Sequence, residues 1–226
     1  MMRRRALQTN QCAELASEAR DDHITLTRAI TLRAHRAQSA AEVEAAKHLI
    51  RRRYAWRGYD MPDTEQESAH DSLESDSSQV VFVARDGETT IGTITLGLDG
   101  QSGLTAERTY PEPVHEHRQG GCNVCDVTRL AVAEQADSKR VLAALFSLTF
   151  ATASVHGVTH MFVEVNPRHV VFYRRMLGFI VAAGEKFCER VKAPSVLLCV
   201  EMDRLEQHLI KLNARFGGMS LEAQAA

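Results

Sequence analysis

Apolar positions recur along this chain at two periods, and the switches between them outline a fold. Ile24 and Leu26, with Ile30 and Leu32 later in step, predict a first strand within residues 23–33. Ser39-Ala40-Ala41-Glu42 has the spacing of a capping box. The helix it opens should run to about Arg57, with Val43, Ala46 and Ile50 on one stripe and Leu49, Arg53 and Trp56 on the next. Val80–Ala84 and Thr90–Leu96 are apolar runs that flank Asp86-Gly87, a strong hairpin signal. Residues 99–121 read as irregular, with room for one short helix.

The second half alternates more regularly. Val124–Val132 reads as a strand, and Asp137 or Ser138 can cap a helix that runs to His156 and stops at Gly157. Its apolar positions go nearly all round, which predicts burial. A strand over 160–166 runs into Pro167, a helix follows over 167–177, and Gly178-Phe179 closes it. Two further strands, 179–188 and 194–202, precede an amphipathic helix that begins near Asp203. The order β-α-β-β-β-α-β-α-β-β is that of a mixed α/β sandwich, not a uniform βαβ repeat. The expected organisation is a polar arm over 1–22, one domain over 23–202, and a helix and tail over 203–226.

Composition narrows the class. The chain has 226 residues, enough for one α/β domain with a core that needs no staples. No apolar run is long enough to span a membrane, and the basic start, Met1-Met2-Arg3-Arg4-Arg5, is not followed by a signal-type segment. Five scattered cysteines fit a cytoplasmic protein better than a disulfide framework. A net charge of −2 argues against nucleic-acid binding by composition. Charge is unevenly spread, however. Residues 60–78 hold seven acidic residues and no Lys or Arg, which leaves the rest of the chain at +5. Basic residues gather after position 138, either as solvated faces or as a docking patch for an acidic partner.

Chemistry concentrates in Cys125-Asp126-Val127-Thr128-Arg129-Leu130-Ala131-Val132. A carboxylate and a guanidinium inside an apolar strand are costly unless paired. The octet is thus either a structural Asp–Arg pair or a site that polarises a carbonyl and activates an amine. Strict alternation puts Asp126 and Thr128 on one face and Arg129 on the other, whereas a bulge would bring Arg129 into the same cleft.

Two stretches carry a resemblance. Asn166 at a strand end, Tyr173 seven residues on and Gly178-Phe179 resemble the last motif of the GNAT N-acyltransferases. The 125–132 octet, Gly-Leu-Thr-Ala-Glu at 103–107 and Ala-Pro before the apolar strand at 193–200 resemble the bacterial N-acyl amino acid synthases, over about residues 45–202. Acyl-homoserine lactone autoinducer synthases share much of the octet. The resemblance implies a GNAT-like α/β fold, a mixed splayed sheet flanked by helices, and an acyl donor carried on acyl carrier protein. It implies catalytic roles for Asp126, Thr128, Arg129 and Tyr173, with Asp126 helping to take the amine proton. Donor contacts would come from Val127, Leu130, Val132, Ser138, Lys139, Arg140 and Asn166, and acceptor contacts from Arg52 and Trp56.

One departure bears on the donor. Where coenzyme A-dependent relatives have a glycine-rich turn, this chain has Gln135-Ala136-Asp137-Ser138-Lys139-Arg140. A pyrophosphate needs close backbone approach, which glycine allows. The single phosphodiester of a carrier-bound phosphopantetheine could instead use a helix start with Lys139 and Arg140, which otherwise read as an ordinary charged first turn. A second departure is the five-residue step from Tyr173 to Gly178, where four is usual; either the helix bulges or Phe172 takes the Tyr place. His115, His117, Cys122 and Cys125 offer zinc-type atoms at a spacing that matches no known finger, so no metal or redox cofactor is expected. The expected reaction moves a medium- or long-chain acyl group to the α-amine of an amino acid. The chain would lodge among Phe82, Ile94, Leu130 and Phe162. Alternatives are a homoserine lactone synthase, a sorting-system acyltransferase, an acetyl-CoA-dependent enzyme, or a non-catalytic binder of acyl carrier protein or lipid.

Overall fold

The structure is a computed structural model that describes residues 32–59 and 78–216. The expected arm over 1–22, most of the first expected strand, nearly all of the acidic 60–78 segment and the tail after 216 lie outside the described residues.

The described elements run β1 (Leu32–Arg36), α1 (Ala40–Trp56), β2 (Gln79–Asp86), β3 (Thr89–Leu98), a 3-10 turn (Thr105–Arg108), α2 (Pro111–Gln119), β4 (Val124–Val132), α3 (Ser138–Val155), β5 (His160–Val165), a 3-10 turn (Pro167–His169), α4 (Val170–Leu177), β6 (Ile180–Cys188), β7 (Ala193–Glu201) and α5 (Met202–Phe216). The 99–121 region is more ordered than its composition suggests. Pro111 sits in the first turn of α2, where its missing N–H costs nothing, and Tyr110 and Val114 are fully buried.

The seven strands form one sheet in the order β1-β2-β3-β4-β5-β7-β6. All neighbours are antiparallel except β4 and β5. Parallel strands need a crossover, and α3 supplies it. Helices α3, α4 and α5 cover one face, over Phe82, Ile94, Val127, Met161 and Leu198. On the other face α1 lays Ala46 over Val81 and Val83, while the first 3-10 turn and α2 cover Val124, Phe162 and Leu197.

Local chemistry explains the helix ends. Ser39 caps α1 by accepting from the Glu42 amide, while Glu42 turns back to His35 and Arg85 instead of closing the box on Ser39. Asp137 caps α3, and the helix is followed by Gly157 at φ 67°. Gly178, at φ 78°, ends α4 with its N–H donating to the Tyr173 carbonyl, five residues back. That wide C-terminal turn absorbs the extra residue between Tyr173 and Gly178.

Two irregularities shape the site. The β4–β5 ladder stops at Val127–Val163, although β4 runs on to Val132, so the two strands fork. Just past the fork, β4 gains a residue against β3: Thr95 pairs with Thr128 but Thr93 with Ala131. Arg129 sits in this bulge at φ 53°. The bulge resets the side-chain parity, so Ala131 and Ala133 face α1 while Leu130 and Val132 pack on the α3 face.

Candidate active site

An open cleft, about 480 Å³ counting the solvent space at its mouth, lies at the fork, lined by Tyr54 and Tyr59 from the α1 end, Thr128 and Arg129 from β4, Glu164 from β5 and Asn166 just after it, and Cys188, Arg190 and Ser195 from the β6–β7 end. The bulge brings Arg129 to the same cleft as Thr128, and its Nη1 donates to Gln79 at 2.9 Å. Asn166 uses its side chain twice, accepting from the Arg168 amide and donating to the Pro194 carbonyl. That fixes the strand-to-helix corner at the cleft rim. Arg168 extends the rim by donating to the Tyr59 hydroxyl at 2.8 Å.

The cleft holds several polar groups that burial perturbs. Burial pushes the Tyr54 phenol up, against the opposing pull of Arg190 and Arg129. Burial also raises the Cys188 thiol, and the neighbouring Glu164 carboxylate adds to the effect. Glu164 is paired with Arg190 at 3.3 Å and its side chain is 5% exposed.

Several residues expected at the site lie elsewhere. Asp126 does not line the cleft; it is 1% exposed, and its Oδ2 accepts from the Ala106 amide at 2.9 Å. Burial raises its pKa to about 6, only partly offset by that hydrogen bond and by Arg190 and Arg129. It therefore clamps the 3-10 turn onto β4, with Gly97 so close that a Cβ there would lie 2.4 Å from Oδ1. Tyr173 does not line the cleft; it is buried edge-on against Phe146, Phe172 and Phe179, and burial, with the nearby cleft phenols Tyr54 and Tyr59 adding to it, pushes its phenol well above the usual range. A phenol packed in an aromatic core is poorly placed to protonate a leaving thiolate.

Arg52 and Trp56 are exposed, and the Arg53 and Arg57 guanidinium groups stack within 4.7 and 5.0 Å of the Trp56 ring centroid. The cleft residue on this helix is Tyr54, and at ~100° per residue positions 52 and 56 point away from it. Val127, Leu130 and Val132 turn their side chains to the α3 layer, which leaves their backbone to border the fork. At the start of α3 the Lys139 and Arg140 amides already donate to the Asp137 carboxylate, so only the side chains, with exposed Ser138 beside them, are available there. Phe82 and Ile94 lie on one face of the sheet and Phe162 on the other, so they do not form a single acyl compartment. His117 packs against Phe162 and His160, with its Nδ1 2.7 Å from the Pro113 carbonyl oxygen.

Glu164, Arg190, Tyr54, Tyr59, Cys188 and Ser195 are cleft residues that sequence reasoning missed. Glu164 does leave a signal: a carboxylate between apolar Val163 and Val165, the same anomaly that marks Asp126. The others come from a loop and from element ends whose meeting has no local signature.

A mixed sheet forked between two parallel central strands, with a bulged strand at the fork, is the GNAT architecture, and the family model that matches most of the chain makes the protein an N-acyltransferase. More narrowly, the chain belongs to the family described as N-acyl amino acid synthase FeeM, whose model matches residues 45–201. Among solved structures it is similar to FeeM, an N-acyl amino acid synthase from uncultured soil microbes, with 24% identity over 82% of this chain and 96% of that one and a TM-score of 0.69. It also shares the fold of TofI, solved in a ternary complex with an inhibitor and MTA (14% identity, 79% and 96% covered, TM-score 0.58). The AHL synthase LasI is a third structural neighbour (13% identity, 80% and 94% covered, TM-score 0.55). No curated protein matches the chain. Among the described residues, no helix is long and apolar enough to cross a membrane.

Proposed function

We propose that this enzyme transfers a medium- or long-chain acyl group from acyl carrier protein to the α-amine of an amino acid, giving an N-acyl amino acid. The observation that carries the choice of donor is the start of α3. Its first free amides are occupied by the Asp137 carboxylate, a negative charge where a coenzyme A pyrophosphate would have to settle. A carrier-bound phosphopantetheine brings one phosphodiester, which the Lys139 and Arg140 side chains can meet without those amides. Family membership supports the N-acyl product.

In this reading the phosphopantetheine arm follows the open edge of β4 beyond Val127. Thr128 and Arg129 stand where the thioester carbonyl would arrive. A guanidinium held beside a developing oxyanion stabilises it more than it stabilises the neutral carbonyl, which is what lowers the barrier. Aminolysis of a thioester calls for no metal or redox cofactor. Asp126 acts at one remove, by fixing the turn that closes over β4.

The test is direct. Purified protein is incubated with acyl carrier protein bearing medium- and long-chain acyl groups and a mixture of amino acids, and products are read by mass. N-acyl amino acids are expected, with acyl-CoA a poorer donor. Consumption of acetyl-CoA alone would refute the reading, and products that require S-adenosylmethionine would replace it with a lactone synthase. Charge reversal at Lys139 and Arg140 should raise KM for the carrier-bound donor.

A further inference from the structure

The cleft holds a buried carboxylate to which the reaction above gives no role. Glu164 is the first β5 residue beyond the last β4–β5 pair, Val127–Val163, and Thr128 is its counterpart on β4. The two residues therefore sit at the apex of the fork, and both line the cleft. The Glu164 side chain is almost wholly removed from solvent. Oε2 accepts from Arg190 Nη2 at 3.3 Å, whereas Oε1 is buried with no hydrogen-bond partner. The adjacent Cys188 thiol is a weak donor and a poor substitute for one.

A buried carboxylate oxygen left unsatisfied is expensive, and the strongest donor that could complete it is a cation. Arg190 already holds the other oxygen, so the carboxylate is fixed in position before any ligand arrives. Asp126, the other candidate base, is walled off beneath Gly97 and the 3-10 turn. We propose that Glu164 is the acceptor-amine site: it binds the ammonium of the incoming acceptor and takes its first proton, with Arg190 as the positioning residue. This rests on the proposed aminolysis.

The acceptor enters as R–NH3+, and one proton passes to the Glu164 carboxylate, leaving R–NH2. The nitrogen lone pair attacks the thioester carbonyl carbon, so a C–N bond forms and the oxyanion faces Thr128 and Arg129. Collapse breaks the C–S bond, the second nitrogen proton ends on the departing thiolate, and Glu164 returns its proton to solvent.

The test uses the full chain with dodecanoyl-loaded acyl carrier protein. An equimolar mixture of the proteinogenic amino acids first identifies the acceptor that wild type acylates. With that acceptor, kcat and KM are measured between pH 6 and 9 for wild type, Glu164→Gln and Glu164→Asp. At pH 7 the glutamine variant should lose on the order of 100-fold in kcat, the usual scale of a lost general base. Activity should return nearly tenfold per pH unit as free amine replaces ammonium, with Glu164→Asp intermediate. A Glu164→Gln enzyme as active as wild type, or one equally impaired at every pH, overturns the assignment, the second because it marks a structural role. If wild type makes no amide from any amino acid, the aminolysis itself falls and takes this assignment with it. Amide formation by wild type and Glu164→Gln alike overturns only the assignment.

Discussion

Replacing Asp126 with asparagine should change how the stability of this protein depends on pH. Burial lifts the Asp126 carboxyl from its ordinary 3.8 to about 6, so the folded state holds its proton more tightly than the unfolded chain. Between those two values the folded state carries more protons, and stability therefore falls as pH rises through that window. At 1.36 kcal/mol per pKa unit the full effect is about 3 kcal/mol, complete above the folded pKa and absent below pH 3.8. Asparagine has no charge to bury and can still accept from the Ala106 amide. Its NH2 group needs a partner, at a fixed cost of about 1–3 kcal/mol, but that cost does not vary with pH. The assay is urea denaturation of both proteins from pH 4.5 to 8. Relative to the variant, wild type should lose about 2 kcal/mol across this range, since about a third of the full effect is already lost at pH 4.5. Parallel stability curves would refute the argument and show that Asp126 is either solvated or paired in a way that cancels its burial.

Other outcomes follow from the same geometry. Gly97→Ala puts a Cβ 2.4 Å from Asp126 Oδ1, so it should destabilise by about 1–3 kcal/mol and loosen the 3-10 turn, visible as faster amide exchange over residues 104–108. Tyr173→Phe should keep kcat within about twofold, because general acid catalysis would be worth ~100-fold or more; a loss of that size would return the phenol to the mechanism. Arg129→Gln keeps the bulge but removes the charge at the fork, so kcat should fall by roughly 100-fold or more with little change in melting temperature. Comparable activity in that variant would remove Arg129 from oxyanion stabilisation.

Local patterns along the chain carry most of the elements. Ser39, Asp137, Gly157 and Gly178 mark helix ends through chemistry confined to a few residues, and the Asp86-Gly87 turn joins its strands without help from the rest of the fold. The 99–121 region defeats local reading because its order comes from burial of Tyr110 and Val114, a tertiary effect.

Local sequence is therefore enough to mark the strand with the unusual charges, the helix starts, the glycine-free turn before α3 and hence the family. Which of those charges reach the cleft depends on long-range packing. Alternation places Asp126 and Thr128 on one face, and they do share it, yet the 3-10 turn covers one and leaves the other open. The bulge at Arg129 is one of two arrangements the octet allows, and its occurrence depends on how β4 registers against β3. Glu164 gains its place because two parallel strands separate immediately before it, and that fork is set by pairing between segments more than thirty residues apart. Arg52 and Trp56 are suitable residue types on a helix whose rotation is fixed by packing, which turns them to solvent, and Tyr173 is drawn into the aromatic core rather than the cleft lining.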